Sequence, residues 1–164
     1  MTRKLAVVLT ILVAAAAFAG EHHMANAPTT PSFERMKSLV GEWKANVPGM
    51  GEIRATYTLH SDGGALLEQL LMPGEMSMIT VYTPNGQDLA MTHYCSSHNQ
   101  PHMVARAGTY GFVADSVANL SSKDAEHMSA VSFDFKDADH FTATWVHSAG
   151  GKEQPTPFNF TRVR

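Results

Sequence analysis

Cysteine is almost missing from this chain: Cys95 stands alone among 164 residues. One cysteine makes no disulfide within the chain, so a folded state must rest on its apolar core. Cys95 is then a free thiol, an intermolecular link or part of a site. Basic runs are lacking as well. Lys and Arg number 12 against 15 Asp and Glu, for a formal net charge of −3, and they are scattered along the chain. That balance is a poor electrostatic match for nucleic acid. Long apolar runs are also scarce, and the one present sits at the amino terminus.

That run is Leu5–Ala19, preceded by the basic pair Arg3-Lys4. A membrane-spanning helix needs about 20 apolar residues, so this segment reads as a secretory signal peptide. Ala17-Phe18-Ala19 offers small residues where a signal peptidase reads, which places the cut before Gly20. Residues 1–19 are thus expected to be removed, leaving 145 residues for export to the periplasm or medium. Loss of two basic residues moves the formal charge from −3 to −5. No second apolar segment predicts membrane attachment after cleavage. Such a length supports one hydrophobic core.

Residues 20–30 read as a flexible leader, and 31–164 as the folded domain. Thr30-Pro31 supplies a helix N-cap and a first-turn proline, and Gly41 ends the apolar periodicity, so a short helix is expected over 31–39. From Gly41 the period becomes 2. Ile53, Ala55, Tyr57 and Leu59 alternate with Arg54, Thr56, Thr58 and His60; Leu89, Met91, His93 and Cys95 alternate with Ala90, Thr92, Tyr94 and Ser96. Such alternation marks half-buried strands. Turn signals such as Asp62-Gly63-Gly64, Pro84-Asn85-Gly86 and Gly150-Gly151 separate them. The spacing predicts strands at 41–47, 51–60, 65–72, 77–83, 88–96, 101–107, 109–114, 128–135, 140–148 and 156–163, with 115–127 irregular. About ten antiparallel strands in sequence order predict a mainly β, up-and-down barrel with a short N-terminal helix; a sandwich is the alternative.

Gly41-Glu42-Trp43, opening the first strand after a leading helix, resembles the G-x-W of the calycin superfamily, the lipocalins and their relatives. Further stretches extend the likeness: Gly64-Ala65-Leu66-Leu67-Glu68, Val81-Tyr82, and Thr92-His93-Tyr94-Cys95 followed by Asn99-Gln100-Pro101. Together they resemble exported bacterial lipocalin-like proteins of an uncharacterised family. The resemblance implies a calycin-like barrel whose tryptophan, Trp43, sits at the closed end. It also implies that an arginine near the last strand, here Arg162, packs over that indole. It implies no reaction, substrate or cofactor.

The densest chemistry lies in Thr92–Met103. His93 and Cys95 share the apolar face of their strand with Leu89 and Met91, so both are expected to look inward. His98 follows in a loop and His102 starts the next strand. Three readings compete. His93, Cys95, His98 and His102 can be metal ligands, since imidazole and thiolate suit zinc or copper, although their spacing matches no standard metal motif. His93 can activate Cys95 as a nucleophile, but no oxyanion hole is visible. Or His93 is a hydrogen-bonded cavity histidine and Cys95 a small filler.

Glu68 interrupts the apolar run Ala65–Leu71 and must face solvent or find a partner. Met72, Met76, Met78, Met91, Met103 and Met128 are core filler, Cu(I) ligands or the walls of an adaptable apolar pocket. A haem would need an axial ligand such as His93 or His147, without any haem signature in the sequence. A cut before Gly20 would also create Gly20-Glu21-His22, an amino-terminal arrangement that Cu(II) favours.

The leading expectation is a binding protein rather than an enzyme: an exported barrel around a small, largely apolar ligand. Tyr57, Glu68, His93, Cys95 and Arg106 are the expected pocket contacts, and Trp43 and Arg162 the closure of the barrel. A metal- or haem-binding protein, possibly catalytic, centred on the His/Cys cluster is the second reading. A structural envelope protein with a filled barrel is the third.

Overall fold

A computed structural model describes residues 29–74 and 76–164. The expected signal peptide, nearly all of the leader and the amino-terminal copper arrangement lie outside the described residues. One short helix, α1 (Pro31–Lys37), precedes ten strands. They are β1 (Gly41–Val47), β2 (Gly51–His60), β3 (Ala65–Leu71), β4 (Ser77–Asn85), β5 (Asp88–Tyr94), β6 (Gln100–Ala105), β7 (Gly111–Ala118), β8 (His127–Phe135), β9 (His140–Ala149) and β10 (Lys152–Arg162). Each pairs antiparallel with its sequence neighbours, and β10 returns to β1, which closes an up-and-down barrel. This architecture is compatible with a calycin-like fold. Among the described residues no helix is long and apolar enough to cross a membrane.

Several elements shift from their expected bounds: the helix ends at Lys37 and β10 begins at Lys152, and two other shifts bear on the site. β5 stops at Tyr94, because the Cys95 amide is already committed to a turn, donating to the Asn99 carbonyl at 3.1 Å. β7 runs on to Ala118, shortening the irregular stretch to 119–126.

The closed end shows why the helix is needed. Thr30 caps α1, its hydroxyl accepting from the Phe33 amide at 3.1 Å. Seven residues are too few to hold a helix in water, so packing must do so. Phe33 and Met36 are fully buried against the barrel, with Leu39 just beyond the helix. Trp43 lies beneath, edge-on to Phe141 at 4.7 Å between centroids, and Phe141 stacks on Phe160 at 4.9 Å. The Trp43 indole N–H donates to the Leu39 carbonyl at 2.6 Å. Arg162 lies over the Trp43 ring at 4.0 Å. Its guanidinium also donates to the carbonyls of Val40 (2.8 Å), Ser38 (2.9 Å) and Ala138 (3.1 Å). One side chain thus takes up the carbonyl of the helix C-cap and two loop carbonyls, and covers an indole face.

The opposite end is looser, and the strand pairing says where. β1 and β10 share only the pairs Trp43–Arg162 and Lys44–Thr161, and β7 and β8 only those from Gly111–Ser132 to Val113–Ala130. Both seams lie toward the closed end. The three-stranded unit β8–β10 therefore diverges from β1–β7 as it approaches the open end. Pro155 and Pro157 fall in the stretch of β10 that pairs with β9 but has no partner on β1. Proline has no N–H for a ladder, which suits a strand with one free edge.

Candidate functional site

Four inward side chains line up across the middle of the lumen because register places them opposite one another: Tyr57 with Glu68, Glu68 with Thr80, and Thr80 with His93. Tyr82, two residues beyond Thr80 on the same face, joins them. All five are essentially inaccessible to solvent. The Tyr57 hydroxyl donates to Glu68 Oε1 at 2.8 Å and the Tyr82 hydroxyl to Oε2 at 2.7 Å. The Thr80 hydroxyl lies 2.9 Å from His93 Nδ1 and also faces the Glu68 carboxyl. An isolated carboxylate here would be very costly; donors on both of its oxygens make the burial tolerable.

Burial dominates the ionisation of this row. It raises the Glu68 pKa, against the hydrogen bonds from Tyr82, Tyr57 and Thr80 that favour the carboxylate. It raises both tyrosines well above the usual phenol value, with the Glu68 charge adding to the effect, so both remain donors. It lowers His93 to about 4, so the imidazole is neutral around pH 7.

Toward the open end the lumen widens into a cavity of about 230 Å³. Leu70, Met72, Met78 and His93 contribute one wall, with Met50 from the β1–β2 turn. Met128, Trp145, His147, Gln154, Thr156 and Phe158 contribute the other, all from the diverging unit β8–β10. Four of the eleven lining residues are methionine, and none is Lys, Arg, Asp or Glu. The surface is apolar, adaptable and without a counter-charge for an anion.

His93 and Trp145 meet at this cavity, with ring centroids 4.7 Å apart. Among the described residues three buried side-chain polar atoms find no protein partner: His93 Nε2, Trp145 Nε1 and Asn99 Oδ1. Two of the three belong to this one contact. Asn99 instead ties the open-end loops, its Nδ2 donating to the Glu126 carbonyl at 2.8 Å.

Tyr57, Glu68 and His93 are thus brought together, the first two as the support of the third. Cys95 is not beside them. It sits past the end of β5, half-buried in the turn, and does not line the cavity. Arg106 is at the other end of the barrel. Met103 and Ala105 take the inward positions of β6, so Arg106 points out; its side chain is 85% exposed and pairs with Asp88 at 2.9 Å. The expected metal set is not assembled either. His102 is the register partner of Thr92 and shares its outward face, opposite to His93. His98 occupies a left-handed turn position (φ 62°). Among the described residues no three His, Cys, Asp or Glu side chains converge to hold a metal ion.

Sequence reasoning missed Thr80, Tyr82 and Trp145. The alternation that puts Phe141 and Ala143 inward also puts Trp145 and His147 inward, so that signal was available. β4 carried none, since Ile79 and Val81 on its outer face are as apolar as its inner residues. The chain matches no known protein-family model, and no curated protein sequence matches it.

Proposed function

We propose that this is an exported binding protein, lipocalin-like in build, that holds one small and largely apolar molecule in the open-end cavity. The observation that carries the reading is a cavity with an apolar lining and two buried, unpartnered ring nitrogens. Buried polar atoms in folded proteins are nearly always satisfied, and each orphan costs about 1–3 kcal/mol. A ligand with one polar group and an apolar body removes that cost and covers the methionines. The cavity has room for the body of one small molecule, and a longer tail would leave through the open end. His93 is the polar anchor. Glu68, Tyr57 and Tyr82 fix the anchor from behind.

Native mass spectrometry of the gently purified exported protein tests this. The expected result is an organic adduct that is lost when Leu70→Trp fills the cavity. A stoichiometric metal that disappears in His93→Ala would replace this reading with a metalloprotein. A bare mass, together with no uptake of apolar probes, would leave the filled barrel as the better account.

A further inference from the structure

We infer that the ligand presents a hydroxyl to the cavity floor, accepting from Trp145 Nε1–H and donating to His93 Nε2. This rests on the binding reading above and narrows its chemistry.

The argument is one of donor and acceptor polarity. An indole nitrogen only donates, so the Trp145 side of the floor calls for an acceptor. A neutral imidazole has one N–H and one lone pair, and the bond made by Nδ1 decides which of them Nε2 offers. That bond goes to Thr80, 2.9 Å away. Thr80 is in turn the register partner of Glu68, which already receives Tyr57 and Tyr82. Glu68 accepts a hydroxyl hydrogen bond on each oxygen from the two tyrosines, so it stands as the acceptor at the end of the row. The proton order that uses it fully sends the Thr80 O–H to Glu68 and the His93 Nδ1–H to Thr80. Nε2 is then left as a lone pair.

The floor therefore shows one donor and one acceptor on two rings in contact. A hydroxyl complements both with a single oxygen. An ether or ketone would leave His93 unmatched. A carboxylate would bring a charge to a lining that contains no Lys or Arg. The ligand class that follows is a neutral alcohol or phenol with a compact apolar body.

Three probes of similar length separate the possibilities: 1-octanol, octyl methyl ether and octanoate, each titrated into the full folded protein at pH 7. Octanol is expected to bind at least about 10-fold more tightly than the ether, in line with the cost of one unmatched buried polar atom. Octanoate is expected to be weaker still. Thr80→Val should erase the octanol preference while keeping measurable binding. The ¹⁵N resonances of His93 supply a readout that stability alone does not move. In the wild type Nε2 should resonate as an unprotonated nitrogen and Nδ1 as a protonated one. Tighter binding of the ether, or a protonated Nε2, overturns the hydroxyl assignment while leaving a binding barrel in place. Preference for octanoate overturns it in favour of an anion carrier. Failure of all three to bind sinks the binding reading itself.

Discussion

Acid should destabilise this protein through His93, by an amount the structure allows to be worked out. The imidazole is buried, its Nδ1 faces a neutral hydroxyl, and no carboxylate is bonded to it directly. Burial lowers its native pKa from 6.5 to about 4. Above pH 6.5 both the native and the unfolded histidine are neutral, and stability is unaffected. As pH falls below 6.5 the unfolded chain takes up a proton that the native protein refuses, so stability declines until about pH 4. At about 1.4 kcal/mol per pH unit the full loss is about 3 kcal/mol. The measurement is urea unfolding of the wild type and of His93→Gln at a series of pH values from about 8 to about 4. The substitution adds its own constant cost, but it cannot titrate. The stability advantage of wild type over variant should therefore shrink by about 3 kcal/mol across the series. The other histidines are common to both proteins and cancel. A difference that stays flat, or grows toward acid, would refute the reasoning. It would mean that the native lumen accepts an imidazolium, with the Glu68 charge compensating for it through Thr80.

Glu68 should act with the opposite sign. Burial raises its native pKa above 4.5, so its contribution is most favourable below that value and is lost as pH rises through the native pKa. In the same urea series Glu68→Gln should gain on the wild type as pH increases. At the closed end, Arg162→Ala removes three hydrogen bonds to carbonyls and the cover over Trp43. Chemical denaturation should register a loss of about 2–4 kcal/mol; a loss below about 0.5 would mean that the closed end holds without it. Gly41→Ala should act on the same arginine. Gly41 has φ +124°, and an added Cβ would lie 2.9 Å from Arg162 Nη1. A cost of about 1–3 kcal/mol is expected, and the double variant Gly41→Ala/Arg162→Ala should show less than the sum of the two losses.

The barrel was legible because its signal is repetitive. Runs of period 2, with turn signals between most of the ten strands, admit few arrangements other than a meander, and register follows where one face is apolar. The helix cap at Thr30 and the place of Arg162 over Trp43 also follow from local residues and the G-x-W resemblance. The site was legible only in part, for reasons of parity and strand ends. His102 and Arg106, the latter one residue past the end of β6, are both even-numbered beside buried odd positions Pro101, Met103 and Ala105, so alternation itself argues against them as lumen contacts. Cys95 had the right parity but lies beyond the last ladder pair, where alternation no longer holds. The opening of the lumen had a signal too. Pro155 and Pro157 sit two apart in the last strand, and such a pair marks an edge left unpaired.

The arrangement of polar atoms along the barrel is what favours the proposed binding protein over a filled scaffold. In the middle of the lumen Glu68 is met by donors on both oxygens, and each donor comes from a different strand. A chain that places three side chains this well has no difficulty satisfying buried polar groups. Nearer the open end the same lumen leaves His93 Nε2 and Trp145 Nε1 without protein partners, on rings in contact and beside an apolar cavity. Phenylalanine at both positions would fill a structural barrel at no such cost. The row behind His93 makes the contrast sharper, because its effect is to orient an imidazole whose outward nitrogen no protein group uses. The two ring nitrogens are satisfied only when something else completes the set, which is the place the proposed ligand hydroxyl would take.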